Sequence, residues 1–366
     1  MEAHSAAGRR LQELGWSTDR AAAFVSDGAA GLVPGRVVST GGETTAATEE
    51  GLTEVIVQRR FQRQTTSRVD LPATGDWLAL EPRSADPPTA ALRGVLPRTS
   101  AFVRTRLSDG RPQVLAANVD VAFLVTGLDH DLNLRRLERY LVLALDGGVT
   151  PVVVLNKVDI AIDLDRAVAD VHAIAAGTRV VVTSAIEGSG IDELLSLVPS
   201  RTTACLLGSS GAGKSTITNA LLGEQRQLVR TLRDDDSKGR HTTTRRELFA
   251  LPAGGHLIDT PGLRTVGVLD GAQALEASFG EIEALARACR FSDCGHGSEP
   301  GCAVRSAVEA GALSADRYAS HQKLEAERRS VQLRSDERTR RKADRQLGRF
   351  YRRSQKEAEH LKRGDM

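Results

Sequence analysis

The chain has 366 residues, with 49 Lys and Arg against 47 Asp and Glu, so its formal net charge of +2 excludes a general polycation or polyanion. Its 40% hydrophobic content is ordinary for a globular protein of two or three domains. The N-terminus lacks the apolar stretch of a signal peptide, and no run of roughly 18 apolar residues is present. We therefore expect no membrane association and a cytoplasmic location.

The first 112 residues are predicted to form a helical extension and a small β domain. Residues 1–30 contain the helix-forming run "GRRLQELGWSTDRAAAFVS". Residues 31–112 contain short β-type runs such as "GRVVST" and "GDWLALEP", separated by Gly, Pro and Asp, as in a small barrel or a sandwich. Basic and aromatic residues are interleaved there, which favours contact with single-stranded or looped RNA. These residues are Arg59, Arg60, Phe61, Arg63, Arg98, Phe102, Arg104 and Arg106.

Residues 113–275 alternate between apolar runs and helical segments. The runs are "VDVAFLVTG", "TPVVVLN", "TRVVVTS", "TTACLLG", "RRELFAL" and "GHLIDT". Because continuous apolar runs suit strands buried on both faces, this region is predicted to be a mostly parallel α/β sheet.

The tetrapeptide "NKVD" at 156–159 follows one of these runs, at the sheet edge where α/β proteins bind ligands. Asp159 can accept hydrogen bonds from guanine N1–H and N2–H, a donor pair that adenine lacks. The Lys157 stem can cover the face of the base, and Asn156 can hold neighbouring loops. A plain Asn-Lys turn is the alternative.

The run "TSAIEGSG" at 183–190 supports the guanine hypothesis. It follows the next strand, so the backbone of Ser184 and Ala185 can contact the guanine oxygen. A nucleotide kinase would have no use for this run together with "NKVD".

The run "GSSGAGKS" at 208–215 lies between the apolar run "TTACLL" and the helix-forming run "TITNALLG". This strand–loop–helix context is the one a phosphate loop requires. Its glycines let backbone N–H groups approach phosphates, Lys214 can face the β/γ-phosphates, and Ser215 offers a hydroxyl to Mg²⁺. A glycine-rich turn without a ligand is the alternative.

The segment "LRDDDSKGRHTTTRREL" is rich in charge and Thr and precedes a strand, so it is predicted to be the first switch loop. Thr242 or Thr243 is expected to bind Mg²⁺, and the distance from the following strand favours Thr243. His241 can position the attacking water. Capping of the loop is the alternative role for His241.

The run "DTPG" at 259–262 is the last of the candidate nucleotide-binding motifs along the chain. Asp259 is expected to hold Mg²⁺ through water, and Gly262 to donate to the γ-phosphate. Leu263 stands where many GTPases carry a water-orienting Gln, so intrinsic hydrolysis should be slow. The predicted nucleotide contacts are Asn156, Lys157, Val158, Asp159, Ser184, Ala185, Gly208, Ser209, Ser210, Gly211, Ala212, Gly213, Lys214, Ser215, Thr216, Thr243, Asp259 and Gly262.

The order of these elements is unusual, because both base-recognition motifs precede the phosphate loop. An ordinary GTPase ends with the helix after its "SA" loop. Here that helix is "IDELLSLV", and the link "PSRT" joins it to the phosphate-loop strand. We therefore predict a circularly permuted P-loop GTPase domain, a rearrangement that surface termini lying close together permit.

The run "CRFSDCGHGSEPGC" has the spacing C-x4-C-x-H-x5-C. Reduced thiols and an imidazole this close together predict one structural Zn²⁺ held by Cys289, Cys294, His296 and Cys302. Four protein ligands leave no open position for catalysis. Cys205 lies in an apolar strand and is expected to be core.

Residues 276–366 are predicted to be a zinc-binding and basic helical domain. Residues 334–363 carry twelve Lys and Arg against five Asp and Glu. Spacings of three and four place a set of basic residues on one helix face, which favours contact with phosphates, with a solvated face as the alternative. This set is Arg338, Arg341, Arg345, Arg349, Arg352 and Lys356.

These motifs, in this order, resemble the RsgA (YjeQ) family of small-ribosomal-subunit biogenesis GTPases of bacteria. The matching runs are "GDW", "LPRTSAFVR", "NKVD", "TSA", "GSSGAGKS", "GRHTTT", "DTPG" and the Cys/His knot, over about residues 31–310. The resemblance implies an OB-fold RNA-binding domain, a permuted GTPase and a zinc-containing helical domain. It also implies that His241 is catalytic and that the 30S subunit, with its 16S rRNA, stimulates GTP hydrolysis to GDP.

The leading hypothesis is thus a GTPase that assists late maturation of the 30S subunit, with Mg²⁺ accompanying GTP and one structural Zn²⁺. A monomer is expected. A GTP-gated RNA-binding module with incidental hydrolysis is the main alternative. A permuted GTPase acting on the large subunit or on tRNA is less favoured, since it would not need both the OB-like segment and the Cys/His knot.

Overall fold

The computed structural model describes residues 8–26, 31–59, 61, 68–105, 112–129, 131–223, 245–259 and 272–333. The chain divides into two compact units, residues 1–267 and residues 268–366.

The first unit contains all of the described strands and six of the described helices. The strands are β1 (Val33–Thr40), β2 (Thr45–Ala47), β3 (Leu52–Ile56), β4 (Trp77–Ala85), β5 (Pro88–Val95), β6 (Ala101–Thr105), β7 (Pro112–Ala117), β8 (Val121–Gly127), β9 (Thr150–Asn156), β10 (Arg179–Thr183), β11 (Thr203–Gly208), β12 (Arg246–Ala250) and β13 (His256–Asp259). The helices are α1 (Arg9–Glu13), α2 (Thr18–Ser26), α3 (Leu134–Asp146), α4 (Leu164–Ile174), α5 (Ile191–Ser196) and α6 (Lys214–Leu222). Short 3-10 turns span Arg68–Asp70 and Val158–Ile160.

The strands β8 to β13 form the α/β sheet that the apolar runs predict. Their spatial order is β10-β9-β8-β11-β13-β12. All neighbours are parallel except β12, which is antiparallel to β13. The side chains of Phe123, Val154 and Leu257 are buried in the core on this sheet. The carboxyl ends of the parallel strands therefore meet at one edge, where α/β proteins bind ligands.

Two of the helices that follow these strands begin with side-chain caps. Asn133 accepts a hydrogen bond from Arg136 N at 3.0 Å at the start of α3. Asp163 accepts one from Arg166 N at 3.0 Å at the start of α4. Because a cap satisfies an otherwise unpaired N–H group, these residues fix where each helix begins.

The strands β1 to β5 form a closed barrel, so the structure favours a barrel over a sandwich. Their order is β1-β2-β3-β5-β4, and β4 pairs back to β1. The only parallel pair in this ring is β3 with β5. Val37, Leu78, Leu80 and Leu92 fill its interior. A five-stranded barrel of this kind is an OB-type fold, as predicted.

The strands β6 and β7 form a separate two-stranded sheet beside the barrel. Because β7 begins at Pro112, the predicted domain boundary between 112 and 113 falls at the start of this strand. The boundaries of the four predicted domains remain predictions.

Backbone pairing joins the barrel to the α/β sheet. The end of β1 pairs antiparallel with β12, with Ser39 opposite Glu247 and Thr40 opposite Arg246. The hydroxyl groups of Thr40 and Thr74 lie 2.8 Å apart, and Thr74 Oγ1 donates to Arg246 O at 3.1 Å. The two sheets are therefore one continuous set of eleven strands.

Arg36 links several segments of the first unit from a buried position with 2% exposure. Its guanidinium donates to Leu14 O, to Thr203 Oγ1 at 2.8 Å and to Asn118 O at 3.4 Å, and lies 5.5 Å from the centre of the Trp77 ring. Burial, helped by the positive charge of Arg20 and partly opposed by Asp120 and Asp76, lowers the pKa of Arg36 to about 9. This side chain connects the N-terminal extension, the barrel and the start of the phosphate-loop strand.

The second unit contains the remaining described helices, joined by turns and irregular segments. Its helices are α7 (Ala272–Ser278), α8 (Gly280–Arg287), α9 (Ala303–Glu309) and α10 (315–333). Arg317 donates to Ser278 O at 2.7 Å and stacks 4.6 Å from the Phe279 ring centre, and His321 contacts the same ring at 5.3 Å. These contacts fix α10 against the loop between α7 and α8. Among the residues that the structure describes, no helix combines the length and apolar character needed to cross a membrane.

Candidate nucleotide site and metal centre

The phosphate-loop run forms the expected turn between a strand and a helix. Buried strand β11 ends at Gly208, and α6 begins at Lys214. Gly211 and Gly213 have φ angles of 89° and 93°, a conformation that side-chain-bearing residues rarely adopt. The backbone geometry of this loop therefore requires glycine.

Close approach of the neighbouring strands β8 and β9 is a second reason for glycine. A Cβ atom at Gly213 would lie 2.2 Å from Nδ2 of Asn156. A Cβ atom at Gly208 would lie 2.4 Å from the carbonyl oxygen of Val125. The first of these contacts brings the "NKVD" run directly against the phosphate loop.

Asn156 connects three loops through one amide group that is 2% exposed. Its Nδ2 donates to Ala212 O at 3.0 Å in the phosphate loop. Its Oδ1 accepts from Thr183 Oγ1 at 3.1 Å and from Ala185 N at 3.2 Å. The base-recognition runs and the phosphate loop therefore meet at this residue, although the phosphate loop lies about fifty residues further along the chain.

Lys157 has a left-handed backbone, with φ 68°, and begins the 3-10 turn of Val158–Ile160. Its Nζ atom lies 2.5 Å from Oδ2 of Asp129. Asp159 follows in the same turn and is exposed to solvent. The geometry leaves the Asp159 carboxylate accessible for hydrogen bonds to a base.

The "SA" loop is ordered by its own backbone. Ser184 is fully buried, and its N–H donates to Ser189 O at 3.1 Å. The Ser184 hydroxyl accepts from Glu187 N at 3.3 Å. Together with the bond from Ala185 to Asn156, these contacts hold the loop beside the "NKVD" turn.

Lys214 folds back over the phosphate loop. Its Nζ donates to Gly208 O at 2.9 Å and to Ser209 O. Loss of solvent around Asp259 raises the pKa of its carboxyl above the ordinary value, and the positive charge of Lys214 partly opposes this rise. The start of α6 and the end of β13 therefore place an ammonium group and a carboxylate within electrostatic reach of each other.

Most of the predicted nucleotide contacts lie at this sheet edge. The ones described are Asn156, Lys157, Val158, Asp159, Ser184, Ala185, Gly208, Ser209, Ser210, Gly211, Ala212, Gly213, Lys214, Ser215, Thr216 and Asp259. The predicted contacts Thr243 and Gly262 fall outside the described residues, as do the proposed catalytic residue His241, the alternative magnesium ligand Thr242, and Leu263.

The Cys/His knot converges on one point. The ligand atoms of Cys289, Cys294, His296 and Cys302 all lie within 4.8 Å of one another. Cys289 Sγ is 3.5 Å and Cys302 Sγ 3.6 Å from His296 Nδ1, and the two sulfur atoms are 4.0 Å apart. Ligands about 2.3 Å from a tetrahedral zinc would be separated by about 3.8 Å. The donor set and its spacing fit Zn²⁺.

The surrounding chain supports this arrangement. His296 has a left-handed φ of 57°, and Tyr318 Oη donates to its carbonyl at 2.9 Å. Cys302 caps α9, where its sulfur accepts from Arg305 N at 3.4 Å. Cys205 lies apart from the knot in β11, is fully buried, and has its pKa raised by burial, as expected of a core thiol.

Part of the predicted RNA-contacting set on the β domain is wrong. Phe102 is fully buried, so its ring is not available to stack on a base. Arg98 is occupied inside the protein, with its Nε 2.7 Å and its Nη2 2.6 Å from the Asp76 carboxylate. Arg59 is exposed, and Phe61 is partly buried against the barrel core. Arg59 and Phe61 follow β3 and are not part of a strand. The residues Arg60, Arg63 and Arg106 lie outside the described part of the chain, as does the side chain of Arg104.

Two carboxylates that no motif marks also lie at the nucleotide site. Asp129 contacts Lys157, and Asp131 accepts from the Ser209 hydroxyl at 2.5 Å. Both come directly after β8, at the carboxyl edge of the sheet. The signal in the sequence was the presence of two Asp residues shortly after a buried parallel strand, where α/β proteins bind ligands.

Comparisons with known proteins agree with this geometry. The family model described as RsgA GTPase matches residues 95–269. The small ribosomal subunit biogenesis GTPase RsgA of Streptomyces coelicolor is 45% identical over 340 residues, which cover 90% of this chain and 90% of that protein. The crystal structure of YjeQ from Thermotoga maritima matches with a TM-score of 0.57 and 27% identity over 81% of this chain and 98% of that one. The crystal structure of YloQ, a circularly permuted GTPase, has a TM-score of 0.56 and 21% identity over 82% of this chain and 96% of that one, a likeness of fold alone.

Proposed function

The chain belongs to the RsgA family of GTPases, and from this premise we propose that it binds and hydrolyses GTP at the described site while assisting maturation of the small ribosomal subunit. The protein is a circularly permuted GTPase and a GTP-hydrolysing enzyme. Its relatives are named for small ribosomal subunit biogenesis, and the proposal extends that role to this chain.

The observation that carries the proposal is the set of three hydrogen bonds made by Asn156. One buried amide joins the phosphate loop at Ala212 to the "SA" loop at Ala185. A ligand that needs both loops has a phosphate end and a base end. We assign the base end to guanine, because an Asp159 carboxylate can accept from both N1–H and N2–H.

On the phosphate side, we assign the ammonium of Lys214 to the β/γ-phosphates, where it would exchange the loop carbonyls for phosphate oxygens. Ser215, Thr243 and Asp259 would hold Mg²⁺, directly or through water, and the ion would neutralise charge that develops on the phosphates. Gly262 would donate to the γ-phosphate. We propose His241 as the residue that orients the attacking water, on the strength of the family's "GRHTT" run.

The partner is proposed to be the 30S subunit, contacted through its 16S rRNA. The OB-type barrel supports this assignment, since such barrels bind single-stranded nucleic acid, and so does the excess of basic residues at 334–363. Cys289, Cys294, His296 and Cys302 would hold one structural Zn²⁺ that stabilises the second unit. We place the activity in the cytoplasm and expect a monomer.

GTP hydrolysis measured for the purified protein alone, with 30S subunits and with 50S subunits tests the proposal. We expect strong stimulation by 30S only, and loss of that stimulation in His241→Ala with GTP binding intact. Equal rates in all three conditions would remove the ribosome from the proposed function. Full activity of His241→Ala in cells would instead favour a GTP-gated RNA-binding module whose hydrolysis is incidental.

A further inference from the structure

The loop between β8 and α3 contributes two carboxylates to the nucleotide site. We propose that Asp129 and Asp131 are positioning residues, Asp129 fixing Lys157 for the base and Asp131 fixing the phosphate loop through Ser209. This inference rests on the proposed function, because it names how the same site is held ready for a guanine nucleotide.

On the base side, Asp129 fixes the far end of the Lys157 side chain. Its Oδ2 atom is 2.5 Å from Lys157 Nζ, and that hydrogen bond is the main reason its pKa lies below the ordinary value. The stem also passes close to Gly127, because Lys157 Cδ would lie 3.3 Å from a Cβ atom placed on Gly127. The stem therefore lies beside the backbone of Gly127 and is restrained at its ammonium end by Asp129. A stem restrained in this way offers a fixed apolar surface to the face of a base.

On the phosphate side, Asp131 connects three elements. Its Oδ2 accepts from Ser209 Oγ at 2.5 Å and from Gly127 N at 3.4 Å. Its Oδ1 accepts from Arg136 Nη2 at 2.6 Å, which ties the phosphate loop to the first turns of α3. The carboxylate thus fixes the second residue of the phosphate loop against a helix.

The two carboxylates also form one unit. Asp131 N donates to Asp129 Oδ1 at 3.1 Å, so each residue fixes the position of the other. A single short loop therefore links the side chain at the base to the backbone at the phosphates.

Exposure separates this role from a general contribution to folding. The side chains of Asp129, Lys157 and Asp131 are 30%, 24% and 17% exposed. Partly exposed ion pairs contribute little to stability. Their loss should therefore change ligand affinity while the protein remains folded.

The two residues should affect different parts of the ligand. The Lys157 stem would cover the ring face, which guanine and hypoxanthine share, so Asp129→Ala, which removes the acceptor for Lys157, should weaken GDP and inosine diphosphate (IDP) equally, by about five- to tenfold. Asp131→Ala should weaken GDP by a similar factor but GMP by much less, because it loosens the loop that contacts the β-phosphate. Asp131→Asn keeps an acceptor for Ser209 and should bind GDP nearly as wild type.

Titration calorimetry of the full chain with GDP, IDP and GMP tests the inference, with thermal unfolding of each variant as the check on folding. Asp165→Asn, an exposed acid in the first turn of α4, is the matched control and should leave all three affinities unchanged. Unchanged GDP affinity in Asp129→Ala and Asp131→Ala, or equal losses of GDP and GMP in Asp131→Ala, would overturn it. Failure of the wild-type chain to bind GDP at all would overturn the proposed function as well, which distinguishes the two failures.

Discussion

Replacement of Asn156 by alanine should disrupt the nucleotide site strongly, because this one neutral side chain makes three hydrogen bonds there. The change removes the donor to Ala212 O at 3.0 Å and the acceptor for Thr183 Oγ1 and Ala185 N at 3.1 and 3.2 Å. With about 1 kcal/mol net for each bond, the total loss is about 3 kcal/mol. Because both loops that these bonds hold belong to the site, most of this loss should appear in binding, as a fall of up to about 100-fold in GDP affinity.

The assay is GDP titration together with thermal unfolding. Thr183→Val is the matched control, because it removes one of the three bonds and keeps the side-chain shape, so we expect it to cost about 1 kcal/mol or less. Asn156→Asp should resemble the alanine variant, since a carboxylate oxygen would face the Ala212 carbonyl. A GDP affinity within about twofold of wild type in Asn156→Ala, with unchanged unfolding, would refute the reasoning that this amide organises the site.

Arg36→Met should lower the thermal midpoint by several degrees, because buried carbonyl groups and the Thr203 hydroxyl lose their donor; an unchanged midpoint would contradict its linking role. His256 is buried with no partner for Nδ1 among the described residues, and burial lowers its pKa from 6.5 to about 3. The unfolded chain then takes up a proton below pH 6.5 that the folded chain does not, so stability falls as the pH falls through this window, by about 2 kcal/mol at pH 5. His256→Leu should remove that share of the acid sensitivity in unfolding curves at pH 7.5 and pH 5, and equal pH dependence in both proteins would contradict it. Chelation of zinc, or Cys302→Ala, should release about one metal ion per chain and reduce helical circular dichroism while GDP binding persists; absence of zinc from the purified protein would refute the metal assignment.

The α/β sheet was predictable from the sequence because buried parallel strands need continuous apolar runs. The runs "TPVVVLN" and "TTACLLG" became β9 and β11 almost residue for residue. The phosphate loop was equally clear, since Gly211 and Gly213 occupy a backbone conformation that other residues avoid. In both cases the physical requirement acts on residue type within a short window.

Features that depend on backbone pairing or on distant contacts left no such signal. The pairing of β1 with β12 uses backbone hydrogen bonds, which any residue supplies. Arg36 looks like a surface arginine in sequence, yet it is buried because acceptors from distant segments meet around it. Phe102 shows the reverse error, since its aromatic ring among arginines looked like an RNA contact but faces inward.

The most direct test of the account is the base specificity of Asp159→Asn. Xanthine carries an oxygen where guanine carries the 2-amino group, so an Asn amide can donate to that oxygen while its carbonyl accepts from N1–H. We expect wild type to prefer GDP over xanthosine diphosphate (XDP) and the variant to prefer XDP over GDP. Loss of both nucleotides in a folded variant, or unchanged preference for GDP, would contradict the claim that the "NKVD" turn and the phosphate loop form one guanine-nucleotide site.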